Sequence, residues 1–216
     1  MAMRIHALLC GAAIGLAASS AAAQPAQGTG PQAGASGGAA WSVSAAVYTY
    51  MVPEDDNFAQ PEVAVDRDWL HVEARFNYED IDTASAWVGR TFSVGERVAL
   101  EITPMAGAVF GQTNGGGVGY TGSLTWRRLD LSSETEYVFA SGDAERFLYT
   151  WSELGWSPFG WFRGGFSVQR TKVYRSEFDI ERGFFGAFSL GRWELSAYVF
   201  NPDAEPTVVV GIARTF

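Results

Sequence analysis

The chain holds a single cysteine, Cys10, and it falls inside an N-terminal segment expected to be removed. A disulfide framework and a thiolate metal site are therefore excluded for the rest of the protein. Long apolar runs are missing too. The stretch from Ile5 to Ala18 drifts into Ala and Ser, short of the roughly 20 residues that a membrane-spanning helix needs. Past Trp41 no window sustains apolar residues at i, i+3, i+4 and i+7, so long amphipathic helices are not expected. Basic residues are scarce. With Arg4 removed, 14 remain against 24 acidic ones, a formal charge of −10 that argues against a nucleic-acid partner. Once the leader with His6 is removed, His71 is the one histidine left, and neither a nucleophile elbow nor a zinc-type histidine pair is present.

What is there begins with Arg4, the apolar run to Ala18, and Ala21-Ala22-Ala23 ahead of Gln24. A positive start, an apolar middle and small residues at the end make a secretory signal peptide over 1–23. Cys10 follows a bulky Leu9 and comes too early for a lipid-modified cysteine. Residues 24–40 are rich in Gly, Ala, Pro and Gln without a large apolar side chain, and such a segment cannot bury enough surface to order itself. It reads as a flexible tail. Residues 41–216 share one composition and read as one domain.

That domain alternates with period two. In the clearest segment Leu70, Val72, Ala74, Phe76 and Tyr78 fall on one face, and His71, Glu73, Arg75 and Asn77 on the other. Tight turns are expected at Arg67-Asp68, Val94-Gly95, Arg127-Arg128, Pro158 to Gly160 and Gly191-Arg192, with longer polar links between them. The strands then fall near 41–51, 61–66, 69–79, 85–93, 97–111, 118–126, 129–140, 147–156, 161–174, 178–190, 193–201 and 206–216. This predicts an all-β fold of about 12 antiparallel strands, an even number with both ends on one side, as a closed transmembrane barrel requires.

The apolar face carries Phe92, Trp126, Trp156, Phe162, Trp193 and Phe216 at the turn end, and Tyr78, Phe110, Tyr120, Tyr137 and Phe139 at the loop end. Two aromatic belts around an aliphatic band suit a lipid-facing exterior. The last strand places Val208, Val210 and Ile212 on alternate positions before a final Phe216. It resembles the terminal β-signal of bacterial outer-membrane barrels, with Arg214 departing from the pattern. The resemblance implies a small porin-like barrel in the outer membrane of a Gram-negative bacterium, assembled by the barrel-assembly machinery through Phe216. Its kin include channels, phospholipases and translocators, and a fold alone does not choose among them.

On the opposite parity the interior receives Asp66, His71, Glu73, Arg75, Asn77, Glu101, Asp130, Glu134, Glu136, Glu153, Arg163 and Glu194. Turn geometry pairs Glu153 with Arg163, and puts His71 and Glu101 on either side of Gly89. An acidic lining around water would favour cations. Arg170, Lys172 and Arg182 fall on the outward side near the loop end, where an arginine fork would suit lipopolysaccharide phosphates. Gly115 to Gly117 lack the Lys-Ser/Thr ending of a phosphate cradle and read as a loop tip. The expected function is passive diffusion of small hydrophilic solutes, mildly cation-preferring, with no catalytic residue, cofactor or metal. Alternatives are a lipid- or glycan-acting enzyme centred on His71, and a non-conducting structural or adhesion barrel shut by Tyr48, Tyr149 and Trp151.

Overall fold

The computed structural model describes residues 41–53, 56–141, 146–173 and 179–216, with 171–173 and 179 described by backbone alone. The expected leader and tail lie outside the described residues. Among the described residues thirteen strands follow one another: β1 (Ser42–Met51), β2 (Phe58–Arg67), β3 (Leu70–Phe76), β4 (Thr83–Arg90), β5 (Phe92–Val94), β6 (Ala99–Gly111), β7 (Gly115–Trp126), β8 (Leu129–Ala140), β9 (Phe147–Phe159), β10 (Phe162–Val173), β11 (Asp179–Leu190), β12 (Trp193–Phe200) and β13 (Thr207–Thr215). Each pairs antiparallel with its chain neighbour except across the β4–β5 break. There β4 takes the far half of β6 and β5 the near half, so the two are pieces of one stave. β1 pairs with β13 from Ser44↔Thr215 to Met51↔Val208 and closes the sheet. The result is a closed barrel of 12 staves with both described termini at the turn end.

Closure pairs the staves edge to edge around the sheet, and such pairing is what allows strands rather than helices to face hydrocarbon. Alternation then sorts the side chains. On β3, Val72 and Phe76 point out while Glu73 and Arg75 are buried inside. The exterior is apolar along its height, from Trp69, Phe92, Trp126 and Trp193 through Val88, Leu131, Leu154 and Ile212 to Phe110 and Phe139. Water does not tolerate an apolar surface of that extent on a monomer; a bilayer core does.

The turns show their chemistry in the backbone. Asp68 and Arg127 adopt φ of 54° and 58°, and Gly191 adopts 66°, the left-handed conformation that two-residue hairpin turns require. Three expectations need correction. β2 is ten residues long, not the short 61–66 segment: it passes Pro61 because the β3 ladder begins only at Glu62↔Arg75, which leaves Pro61 beyond that ladder. β3 stops at Phe76 because Asn77 takes φ 56°. β7 starts at Gly115, so Gly115 to Gly117 belong to a strand and not to a loop tip.

Candidate functional site

The barrel interior gathers the polar chemistry of the chain, and its loop-end half is built around Arg75. The guanidinium donates from Nε to Glu73 Oε1 at 2.5 Å and from Nη2 to Glu73 Oε2 at 2.9 Å. Glu134 lies 2.9 Å from Nη2, and Glu136 accepts from Nη1. The cation also stacks 3.9 Å from the Tyr78 ring and 5.6 Å from that of Trp87, contacts favoured by the ring quadrupole. Tyr78 in turn donates to Glu134, while Trp87 Nε1 donates to Glu79 at 2.9 Å. Arg75 is wholly buried, and so are its three carboxylate partners to within 2 %. Buried charge is tolerated only when paired and hydrogen-bonded in this way.

Large side chains crowd the space around this cage. Trp87, Trp151, Tyr50, Tyr78, Tyr149 and Phe200 are among the most deeply buried residues. Trp151 meets Tyr198 and Phe200 edge-on at 5.4 and 5.1 Å and donates to Glu153 at 3.2 Å. Glycine on the facing strands makes room for them. A Cβ on Gly117 would lie 2.5 Å from Trp87 Cη2, and one on Gly107 would lie 2.4 Å from Trp87 Cδ2. Deeper toward the loops, Gln169 donates to Glu181. In the link beyond β3, burial pushes the Glu79 carboxyl above its ordinary range, with Arg75 pulling the other way.

The turn-end half is more open. Arg163 donates to both Asp130 oxygens at 3.1 and 3.0 Å and to Glu153 at 2.5 Å, and its side chain keeps 27 % of its surface exposed. His71 lies between two carboxylates, Nδ1 to Asp66 at 2.7 Å and Nε2 to Glu73 at 3.3 Å. Both ring nitrogens thus face acidic oxygens, an arrangement suited to an ion-paired imidazole rather than to a general base beside a nucleophile. Ser93 donates to Glu101 at 3.0 Å, and Glu194 is half-buried.

Most of the expected interior set is therefore brought together: Asp66, His71, Glu73, Arg75, Glu101, Asp130, Glu134, Glu136, Glu153, Arg163 and Glu194. Asn77 is the exception. It caps the end of β3, donating to the Ala59 carbonyl and accepting from Asp82 N–H, both at 2.9 Å. Its left-handed backbone reverses the alternation, so Tyr78, expected on the lipid side, turns inward. Glu101 does not flank Gly89; His71 and Met105 do, and Glu101 pairs with Ser93 and Ser123 further toward the turns. Sequence reading missed Glu62, Glu79 and Glu181, all buried. The parity that sets Arg182 outside sets Glu181 inside, whereas Glu62 lay hidden behind Pro61 and Glu79 behind the turn at Asn77.

Outside, Arg170 and Arg182 are exposed on β10 and β11, and Arg182 pairs with Asp203 at 3.1 Å. The irregularity in β10 lies at Phe162 and Gly164, at the other end of the strand, so no bulge turns them inward. The Lys172 side chain lies outside the described residues.

Among solved structures the barrel is similar to the KdgM porin, with a TM-score of 0.59 and 12 % identity over 80 % of this chain and 99 % of that one. The KdgM porin in complex with disordered oligogalacturonate matches equally, at 0.59 and 12 % over the same shares. At that identity the likeness is one of fold: a porin-like barrel. No protein-family model matches the chain, and no curated protein matches its sequence.

Proposed function

We propose that this porin-like barrel is a bacterial outer-membrane channel for passive diffusion of small hydrophilic solutes, with a mild preference for cations. The observation that carries the reading is the enclosed acidic interior. Among the described strand residues, Glu62, Glu73, Glu134, Glu136, Glu153, Glu101, Asp130 and Glu194 face only Arg75, Arg163 and His71. Charged rings of one sign select ions of the other. The turn-end half, where Asp66, Asp130 and Arg163 meet water, serves as the mouth. The cage around Arg75 and Trp87 serves as the constriction. Oligogalacturonate, the ligand in one KdgM porin structure, is a polyanion that such a lining would repel, so neutral and cationic solutes are the expected cargo here.

The same reading assigns residues 1–23 to an export signal and 24–40 to a tail, and Phe216 to recognition by the barrel-assembly machinery. Arg170, Lys172 and Arg182 are assigned to lipopolysaccharide phosphates. Reversal potentials across a salt gradient test the selectivity. Wild type is expected to favour cations, and Glu153→Gln with Asp130→Asn to favour them less. Anion preference in the wild type contradicts the filter.

A second reading, a non-conducting structural barrel, is favoured by one observation: Tyr48, Tyr149 and Trp151 are almost completely buried inside. Single-channel recording in planar bilayers separates the two, since a permanently filled interior gives no current steps.

A further inference from the structure

The exterior of the turn end carries a feature the channel reading does not use. Four arginines lie against aromatic rings around this rim. Arg67 stands 4.9 Å from the Trp41 ring, and Arg127 stands 5.1 Å from that of Trp126. Arg90 stands 5.3 and 5.2 Å from Trp69 and Phe92, and Arg214 stands 4.9 and 4.7 Å from Trp193 and Phe216. None of the four forms an ion pair with a described residue. Arg214 further holds a buried Nε with no hydrogen-bond partner. Arg97, Arg128 and Arg192 add positive charge to the same turns, against Asp68 and Glu96. At the loop end, by contrast, exposed Arg182 is already paired with Asp203.

An arginine facing mid-bilayer is costly, and one near the interface is not. The row therefore marks headgroup height. A guanidinium held against an aromatic ring keeps N–H groups to offer, and its fork matches two oxygens of a phosphate. A zwitterionic lipid brings its own ammonium to that phosphate, whereas an anionic one does not. We infer that the Arg67, Arg90, Arg127 and Arg214 collar binds the phosphodiester headgroups of anionic glycerophospholipids in the leaflet at the turn end. The inference rests on the membrane-spanning exterior and is independent of whether the interior conducts.

Tryptophan placement supplies the test. All the outward tryptophans, Trp41, Trp69, Trp126, Trp156, Trp161 and Trp193, are at this rim, while Trp87 and Trp151 are inside. The folded protein is reconstituted in phosphatidylcholine vesicles in which either phosphatidylglycerol or a matching share of the phosphatidylcholine carries brominated chains. Brominated phosphatidylglycerol is expected to quench tryptophan as though enriched up to roughly fivefold at the rim, the range for an arginine near an anionic surface. Raising the salt and replacing all four arginines by glutamine should each remove the preference. Arg214→Gln alone should weaken it, a measurement that stands if the fourfold variant does not fold. Equal quenching by the two lipids in wild type overturns the collar, as does a preference that survives the substitutions. Absence of quenching by either lipid overturns the membrane reading itself.

Discussion

The interior holds two arginine–carboxylate clusters that differ chiefly in their access to water. Arg75 is fully buried among Glu73, Glu134 and Glu136 with two aromatic rings against it, whereas Arg163 keeps 27 % of its surface while holding Asp130 and Glu153. The same chemistry therefore does different work. In the loop-end half an ion cage and packed rings crowd the interior, and in the turn-end half the Arg163–Asp130 pair stays partly exposed. A barrel interior need not be uniformly a pore or uniformly a core.

The strongest way to break that contrast is Arg75→Met. It removes the guanidinium shared by three buried carboxylates, of which only Glu73 keeps His71, and is expected to lower the unfolding free energy by roughly 3–5 kcal/mol, read from denaturant unfolding in lipid vesicles. A loss no larger than that of Arg163→Gln would erase the distinction between the halves.

Packing gives the next effect. Gly117→Ala puts a methyl 2.5 Å from the Trp87 ring, and an overfilled site of this kind costs about 1–3 kcal/mol. Gly116→Ala, whose new Cβ would meet only the Gly107 carbonyl oxygen at 3.6 Å, should change stability by less than about 0.5 kcal/mol. If the two glycine variants behave alike, the loop-end half is not tightly filled.

Arg163→Gln should cost roughly 1–2 kcal/mol, between the solvent-exposed and buried limits for an ion pair, and its loss should deepen cation selectivity in the reversal potential. Smallest of all is Arg182→Ala. Both partners of the Arg182–Asp203 pair are largely exposed, so the change should stay within about 0.5 kcal/mol in the same unfolding measurement.

Much of this was legible from residue order alone, because a barrel wall is a repetition of one rule. Alternation separated His71, Glu73 and Arg75 from Val72 and Phe76 and put Glu153 and Arg163 on one face, where they ion-pair although the register sets Glu153 opposite Ser167 and not opposite Arg163. Reading failed where the backbone broke the period. The left-handed Asn77 sent Tyr78 and Glu79 inward, and no periodicity count registers one residue of reversed twist. Pro61 concealed the start of β2, because its effect depends on whether a ladder lies alongside, a fact about the neighbouring strand. The run Gly115 to Gly117 looked like a loop because its missing side chains have meaning only beside the Trp87 ring that occupies their space. Arg214, out of place in an apolar terminal pattern, proves to lie between Trp193 and Phe216 at the rim.

Single-channel conductance of wild type beside Trp87→Ala in planar bilayers addresses the constriction most directly. A barrel narrowed by the Arg75 and Trp87 layer should give small cation-favouring steps, and removal of the indole should enlarge them. Steps of equal size in both proteins, or silence in both, would contradict a channel whose loop-end half sets its passage.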